Sequence, residues 1–163
     1  MFIAHLPAGY LLTRFIQDKA RNPSRSLMWV GLLASIFPDF DLLYFYLIDN
    51  RQTEHHRYFV HMPITWLILA GLAWLLLFLT KKTRYSIYIV VALANLLLHL
   101  CLDSVAANIY WLYPLSETPV NLVEVPARYD GWVWNFFLHW TFALEMLIVI
   151  AAIYVGNKRR ARL

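Results

Sequence analysis

Four carboxylates and three histidines lie inside, or at the ends of, stretches that otherwise read as membrane-spanning: Asp39, Asp41, Asp103 and Glu145, with His61, His99 and His139. An insertion scale puts a charged side chain at the bilayer centre at roughly 2.5–3.5 kcal/mol, so four carboxylates would cost on the order of 10 kcal/mol. That is as much as the whole stability of many domains. Protonation, pairing, water or a bound metal must offset it, and His and Asp together are metal-ligand types.

The spacings narrow the chemistry. His99 and Asp103 stand at i,i+4, so both side chains leave one helical face and can grip one ion or form a hydrogen-bonded pair. Asp39 and Asp41 follow Pro38 two residues apart and diverge on a regular helix. Pro38 disfavours helix at Phe37 and lacks an N–H. A break there lets the carboxylates converge, or lets one bind metal while the other orients a histidine; the plainer alternative is a helix end capped by Asp39. His55, His56 and His61 share one loop, and His61 stands just before Pro63, a good first residue for a helix. Arg57 is suited to hold a phosphate oxygen bidentately or to anchor the loop at an interface. His5 and His139 are single histidines on apolar faces, and each alone reads as a hydrogen-bonded core residue. Cys101 is the only cysteine, which excludes an internal disulfide, and its apolar setting predicts core packing. No Gly-rich phosphate loop, G-x-S-x-G elbow or Cys–His signature is present, so nucleophilic catalysis by a side chain has little support.

The elements that must position these groups read as helices in lipid. The chain has 163 residues, 61% hydrophobic and 15% charged, which predicts one all-α integral membrane domain over its whole length. Four apolar stretches read as spans: Leu27–Ile48, Met62–Thr80, Tyr85–Pro114 and Trp132–Gly156. Phe2–Ile16 is a shorter apolar helix, either a fifth span or interfacial. The start, MFIAHLPAGYLL, has no basic n-region or cleavage site and reads as mature sequence. The net charge of +4 is no nucleic-acid signature, because the basic residues sit in three short flanks: Lys19–Arg25, Lys81–Arg84 and Lys158–Arg162. The positive-inside rule places all three in the cytoplasm and the two other connections outside. At ~1.5 Å per residue, Asp41 and His139 then lie roughly 10 Å inside the outer surface, Asp103 about 15 Å, and His99 and Glu145 about 20 Å. Independent segments thus bring their ligand types to one outer layer, with Glu145 the weakest member.

The ordered set Ala4-His5-Leu6, Phe37-Pro38-Asp39-Phe40-Asp41, His56-Arg57 with His61, His99-x-x-x-Asp103 and Tyr110-Trp111-Leu112-Tyr113-Pro114 resembles the YdjM-like family of membrane-bound predicted metal-dependent hydrolases. The resemblance runs from about residue 1 to Pro114 and implies a bacterial inner-membrane location. That family is in turn distantly similar to zinc-dependent phospholipase C and P1-type nucleases, helical enzymes with several zinc ions that cleave phosphoesters. Tyr58 and Met62 stand where the family often has small residues. His139 and Glu145 are six apart rather than the four of those enzymes' last ligand pair, so the resemblance implies one or two metals rather than three.

The expected function is metal-dependent hydrolysis, of phosphoesters and with membrane lipids as partners, the substrate being a phospholipid or lipid-linked molecule. The metal set is His5, Asp39, Asp41, His56, His61, His99 and Asp103, with His55, His139 and Glu145 peripheral. Zinc is the expected ion, one or two per chain, lowering the pKa of a water to ~7. Asp39 or Asp41 would be the base and Arg57 the phosphate contact. Two other classes compete: a carrier of protons or metal ions, and a haem protein ligated by His99 and His139. A carrier should line both leaflets, and haem leaves the carboxylates unexplained.

Overall fold

The computed structural model describes residues 3–160, with only the backbone of Trp132 and Arg160. Phe2 of the first apolar stretch and Arg162 of the last basic flank lie outside the described residues. Seven α-helices follow one another: α1 His5–Lys19, α2 Arg25–Ile36, α3 Asp41–Leu47, α4 Pro63–Leu79, α5 Ser86–Asp103, α6 Trp132–Phe137 and α7 Thr141–Arg160. Among the described residues there is no strand, only an isolated antiparallel bridge between Ile109 and Val120.

The distribution of side chains is that of a membrane protein. Leu67, Leu72, Leu76 and Phe78 of α4 and Leu147, Ile150 and Ile153 of α7 are exposed, while His5, Thr13, Gln17, Ser35, Asn95, His99 and Asp103 are buried. In water this arrangement would forfeit the hydrophobic effect. In lipid the apolar side chains face a matching solvent and the polar ones turn inward, toward one another.

The helices at the centre pack closely because small residues face one another. A Cβ at Gly31 of α2 would overlap the Thr13 side chain of α1, and a Cβ at Gly9 would overlap Ser35. Asn95 of α5 closes this three-helix seam by donating to Thr13 Oγ1 at 3.0 Å. Close approach through small residues with interhelical hydrogen bonds is how helices associate in lipid.

The helices that can span are fewer than the sequence predicts. Thr83–Asp103 and Thr141–Arg159 are long and apolar enough, and a third span results if Arg25–Ile36 and Pro38–Leu47, bent by 53°, count as one. Helix α1 has 15 residues, about 22 Å against a hydrocarbon core of ~30 Å. Its buried Thr13 and Gln17 also make it a seam helix. Helix α4 is uncharged but has 17 residues, about 26 Å. The stretch Tyr85–Pro114 is helical only to Asp103, after which residues 104–131 run without helix. Trp132–Gly156 is interrupted between α6 and α7, at Leu138–Trp140. Asp103 is therefore the last residue of its helix, not a mid-span group, and His139 occupies a helix break. Cys101 is exposed rather than in the core, facing outward from α5.

Two ends of the bundle differ in charge. Arg159 pairs with Asp18, and Ser26 bonds Tyr88 at 2.7 Å, so the C-terminal ends of α1 and α7 and the N-terminal ends of α2 and α5 come together. The basic flanks 19–25 and 81–84, and Lys158 and Arg159 of the last one, adjoin that end. The histidines gather at the other.

Candidate metal centre

Each functional side chain is delivered by a local feature of the chain. Helix α2 stops because Pro38 has no N–H and begins a 3₁₀ turn, Pro38–Phe40, that carries Asp39. The last carbonyls of a helix have no intrahelical partner, and one of them, Ser35 O, accepts from His99 Nδ1–H at 2.8 Å. Asp41 opens α3 on the far side of the bend. Two further 3₁₀ turns, His55–Arg57 and Phe59–His61, bring three histidines into 7 residues. They are held by Trp66 Nε1 donating to Val60 O at 2.8 Å and by Glu54, which accepts from Asn108 at 3.1 Å and Tyr110 at 3.3 Å.

Two sets of ligand atoms result, each within 4.8 Å: His5, Asp39, His99 and Asp103, and His55, His56 and His61. Asp103 lies between them. Its Oδ1 is 3.0 Å from His5 Nε2. Its Oδ2 is 3.0 Å from His99 Nε2, 3.8 Å from His61 Nε2 and 4.0 Å from His56 Nε2. The His5 and His99 rings stack 3.9 Å apart, and the His55 and His56 rings lie 3.8 Å apart at a tilt of 44°.

Tautomers assigned from this network decide what the centre needs. Because Ser35 O can only accept, the proton of His99 sits on Nδ1 and a neutral ring turns a bare Nε2 toward Asp103. His61 Nδ1 faces Asp41 Oδ2 at 2.9 Å, so its Nε2 is likewise bare and aims at the same Asp103 oxygen. Both Nε2 atoms are buried and make no hydrogen bond. Lone pairs converging on an anionic oxygen require a cation. A proton on His99 relieves one contact. Protonating the stacked His5 and His99 together sets two charges about 4 Å apart, costing about 4 kcal/mol at an effective dielectric of 20. A divalent ion relieves all the contacts at once. Ligands at 2.0–2.1 Å from a tetrahedral zinc are roughly 3.3 Å apart, close to the 3.0 Å and 3.6 Å separating His99 Nε2 from Asp103 and Asp39. The residues fit the metal that the sequence implies.

Asp41 takes the other role open to it. It faces Nδ1 of His55 at 3.2 Å and Nδ1 of His61 at 2.9 Å, which orients both rings. Such a carboxylate behind metal-binding histidines fixes tautomer and ring angle. His56 is held neutral: burial, then the neighbouring His55, pushes its imidazole down to about 3. Its lone pair is thus available at pH 7.

The family-level comparison agrees with this architecture. The sequence profile of the YdjM inner membrane proteins matches residues 1–162. The chain belongs to that family. No curated protein and no solved structure matches it significantly. For a member of an inner membrane family, the exposed apolar helices need no further cause.

Three sequence-predicted residues stand apart from the centre. His139 bonds Thr141 Oγ1 at 2.9 Å through Nδ1 and belongs to neither ligand set. Glu145 accepts the backbone N–H of Ile3 at 2.5 Å and of Ala4 at 3.1 Å. It thereby caps α1, whose own N-cap Ala4 has no side chain to do so, and fixes His5. The Arg57 guanidinium lies 5.3 Å over the Tyr110 ring and does not line the cleft above the metal ligands. Arg51 lines it instead. Tyr110 is buried under Arg57.

Proposed function

We propose that this chain is a membrane-embedded, metal-dependent hydrolase of phosphoesters. One observation carries the reading: the Nε2 atoms of His99 and His61 converge on a single Asp103 oxygen, at 3.0 Å and 3.8 Å. His5, Asp39, His99 and Asp103 would hold one ion, and His55, His56 and His61 a second beside it, with Asp103 shared. A zinc ion so held supplies Lewis acidity and brings a water pKa to ~7. Asp39 is the residue fitted to accept a proton. Its side chain is 35% exposed, toward the cleft, whereas that of Asp41 is 8% exposed and engaged with two histidines. The cleft has a volume of about 490 Å³ and sets apolar walls from Leu42, Phe45 and Phe136 beside its polar groups.

The basic flanks favour a cytoplasmic C-terminus and an outward-facing metal centre. Helix α4 is proposed as a further span, since leucines on several of its faces are exposed. A carrier reading draws on the buried Thr13, Gln17 and Asn95 between the centre and the basic end. None of these titrates, and they serve the helix seam, so the hydrolase reading is preferred.

Elemental analysis of the purified chain beside Asp103→Ala tests the proposal. Zinc or another divalent metal in the wild type and its loss in the variant is the expected result. A wild-type chain that purifies without metal and fails to take up added zinc overturns it.

A further inference from the structure

The cleft over the metal ligands has a cation at its mouth that the reaction chemistry does not use. Arg51 lines the same cleft as Asp39, His55, His56 and Asp103. Its guanidinium lies 4.8 Å over the Tyr46 ring, and among the described residues it has no carboxylate partner. The backbone holds it there. Asn50 and Arg51 both adopt left-handed conformations, with φ 50° and 63°, uncommon without glycine. The Arg51 N–H donates to Phe45 O at 3.0 Å, and the Asp49 carboxylate accepts Thr53 N–H at 2.7 Å, closing the turn. An exposed arginine is thereby fixed on the rim of a cleft instead of sweeping through solvent.

The walls below that rim are hydrocarbon: Leu42, Phe45, Ala106, Ala107 and Phe136. Leu43 and Leu47 of α3 and Ile48 just after it are exposed, so the apolar lining continues to the lipid-facing surface. A guanidinium presents a planar fork that matches phosphate oxygens. A small soluble phosphate would use the fork and leave the walls wet. A phosphate carrying a hydrocarbon chain uses both.

We infer that Arg51 is the anion-recognition residue of this cleft and that its ligand is a lipid phosphoester, phosphate on Arg51 and chain along Leu42, Phe45 and Phe136. The inference rests on the metal-centre reading, because metal charge is what lets an anion approach Asp39 and Asp103.

The test is binding of dioleoyl phosphatidate to the full chain in nonionic detergent micelles, with metal content measured on the same samples. Saturable binding is expected, weakened about tenfold or more by Arg51→Ala, partly retained in Arg51→Lys, and unchanged by Lys82→Ala at the opposite end. Leu42→Ala should weaken phosphatidate and leave metal content intact. Inorganic phosphate and dioleoylglycerol should each fail to displace the lipid at equal concentration. Unchanged binding in Arg51→Ala overturns the inference, and so does displacement by equal inorganic phosphate, which would mark a soluble-phosphate site. Arg51 is exposed and ligates nothing, so its variants should keep wild-type metal. A metal-free wild type refutes the metal centre, whereas a metal-replete chain whose phosphatidate binding ignores Arg51 refutes this inference alone.

Discussion

The two ligand sets are built differently. His5, His99 and Asp103 stand on helices α1 and α5 and are almost fully buried, with Asp39 on the turn that ends α2. His55, His56 and His61 stand on two 3₁₀ turns, the first two of them partly exposed. Backbone hydrogen bonds within α5 fix His99 and Asp103 relative to each other before any side chain makes a contact. The second set depends on tethers: Asp41 behind His55 and His61, Glu54 on Asn108 and Tyr110, and Trp66 on Val60. Helix-borne ligands are preorganised, while loop-borne ones can yield when a ligand enters. The yielding set is also the one that opens on the cleft, through His55 and His56.

The largest effect should come from the residue common to both. Asp103→Ala is expected to bring the metal-to-protein ratio near zero by elemental analysis. Retention of one ion would break the idea of a shared carboxylate. Asp41→Asn should divide the sets. Loss of such a second carboxylate typically costs 10–100-fold in affinity, so chelator competition should turn biphasic, with only the loop-borne component weakened by about that factor. A uniform weakening would mean that the two sets act as one. Glu145→Gln should act on the helix-borne set from a distance. It removes the charge from the acceptor of one buried and one part-buried N–H while leaving an acceptor oxygen in place, at about 1 kcal/mol. Thermal unfolding in detergent should fall accordingly, with a modest affinity loss confined to that set. Arg57→Ala should do least, removing a cation–π contact of about 0.5–1 kcal/mol and leaving metal content and phosphatidate binding unchanged.

The same division governs what could be read from sequence. His99 and Asp103 were legible because helical spacing alone puts them on one face. The break at Pro38 was legible because proline's missing N–H acts locally, and on its two sides Asp39 faces His99 while Asp41 faces His55 and His61. Arg51 was not legible. Its direction comes from a left-handed turn in which Asn50 is at home but Arg51 is not, and nothing local says that the arginine there faces the cleft. The role of Glu145 depends on contact with backbone 141 positions away, which no local pattern encodes. The number of spans was overread because hydropathy does not register helix ends. Asp103 ends α5 while the apolar run continues, and segment 104–122 folds back through Leu122 N–H donating to Ser104 O at 2.9 Å. Cys101 misled for a related reason: in lipid, an apolar run says nothing about which face is inward.

The Glu145 cap also couples two distant parts of the chain. The carboxylate that holds the start of α1 sits on α7, 141 positions after Ala4. His5 follows directly on that capped start, and its Nε2 faces Asp103 Oδ1 at 3.0 Å. Helix α7 thereby bears on the position of a histidine in a cluster to which it contributes no atom. A substitution that displaces Glu145 is expected to disturb that cluster without touching it.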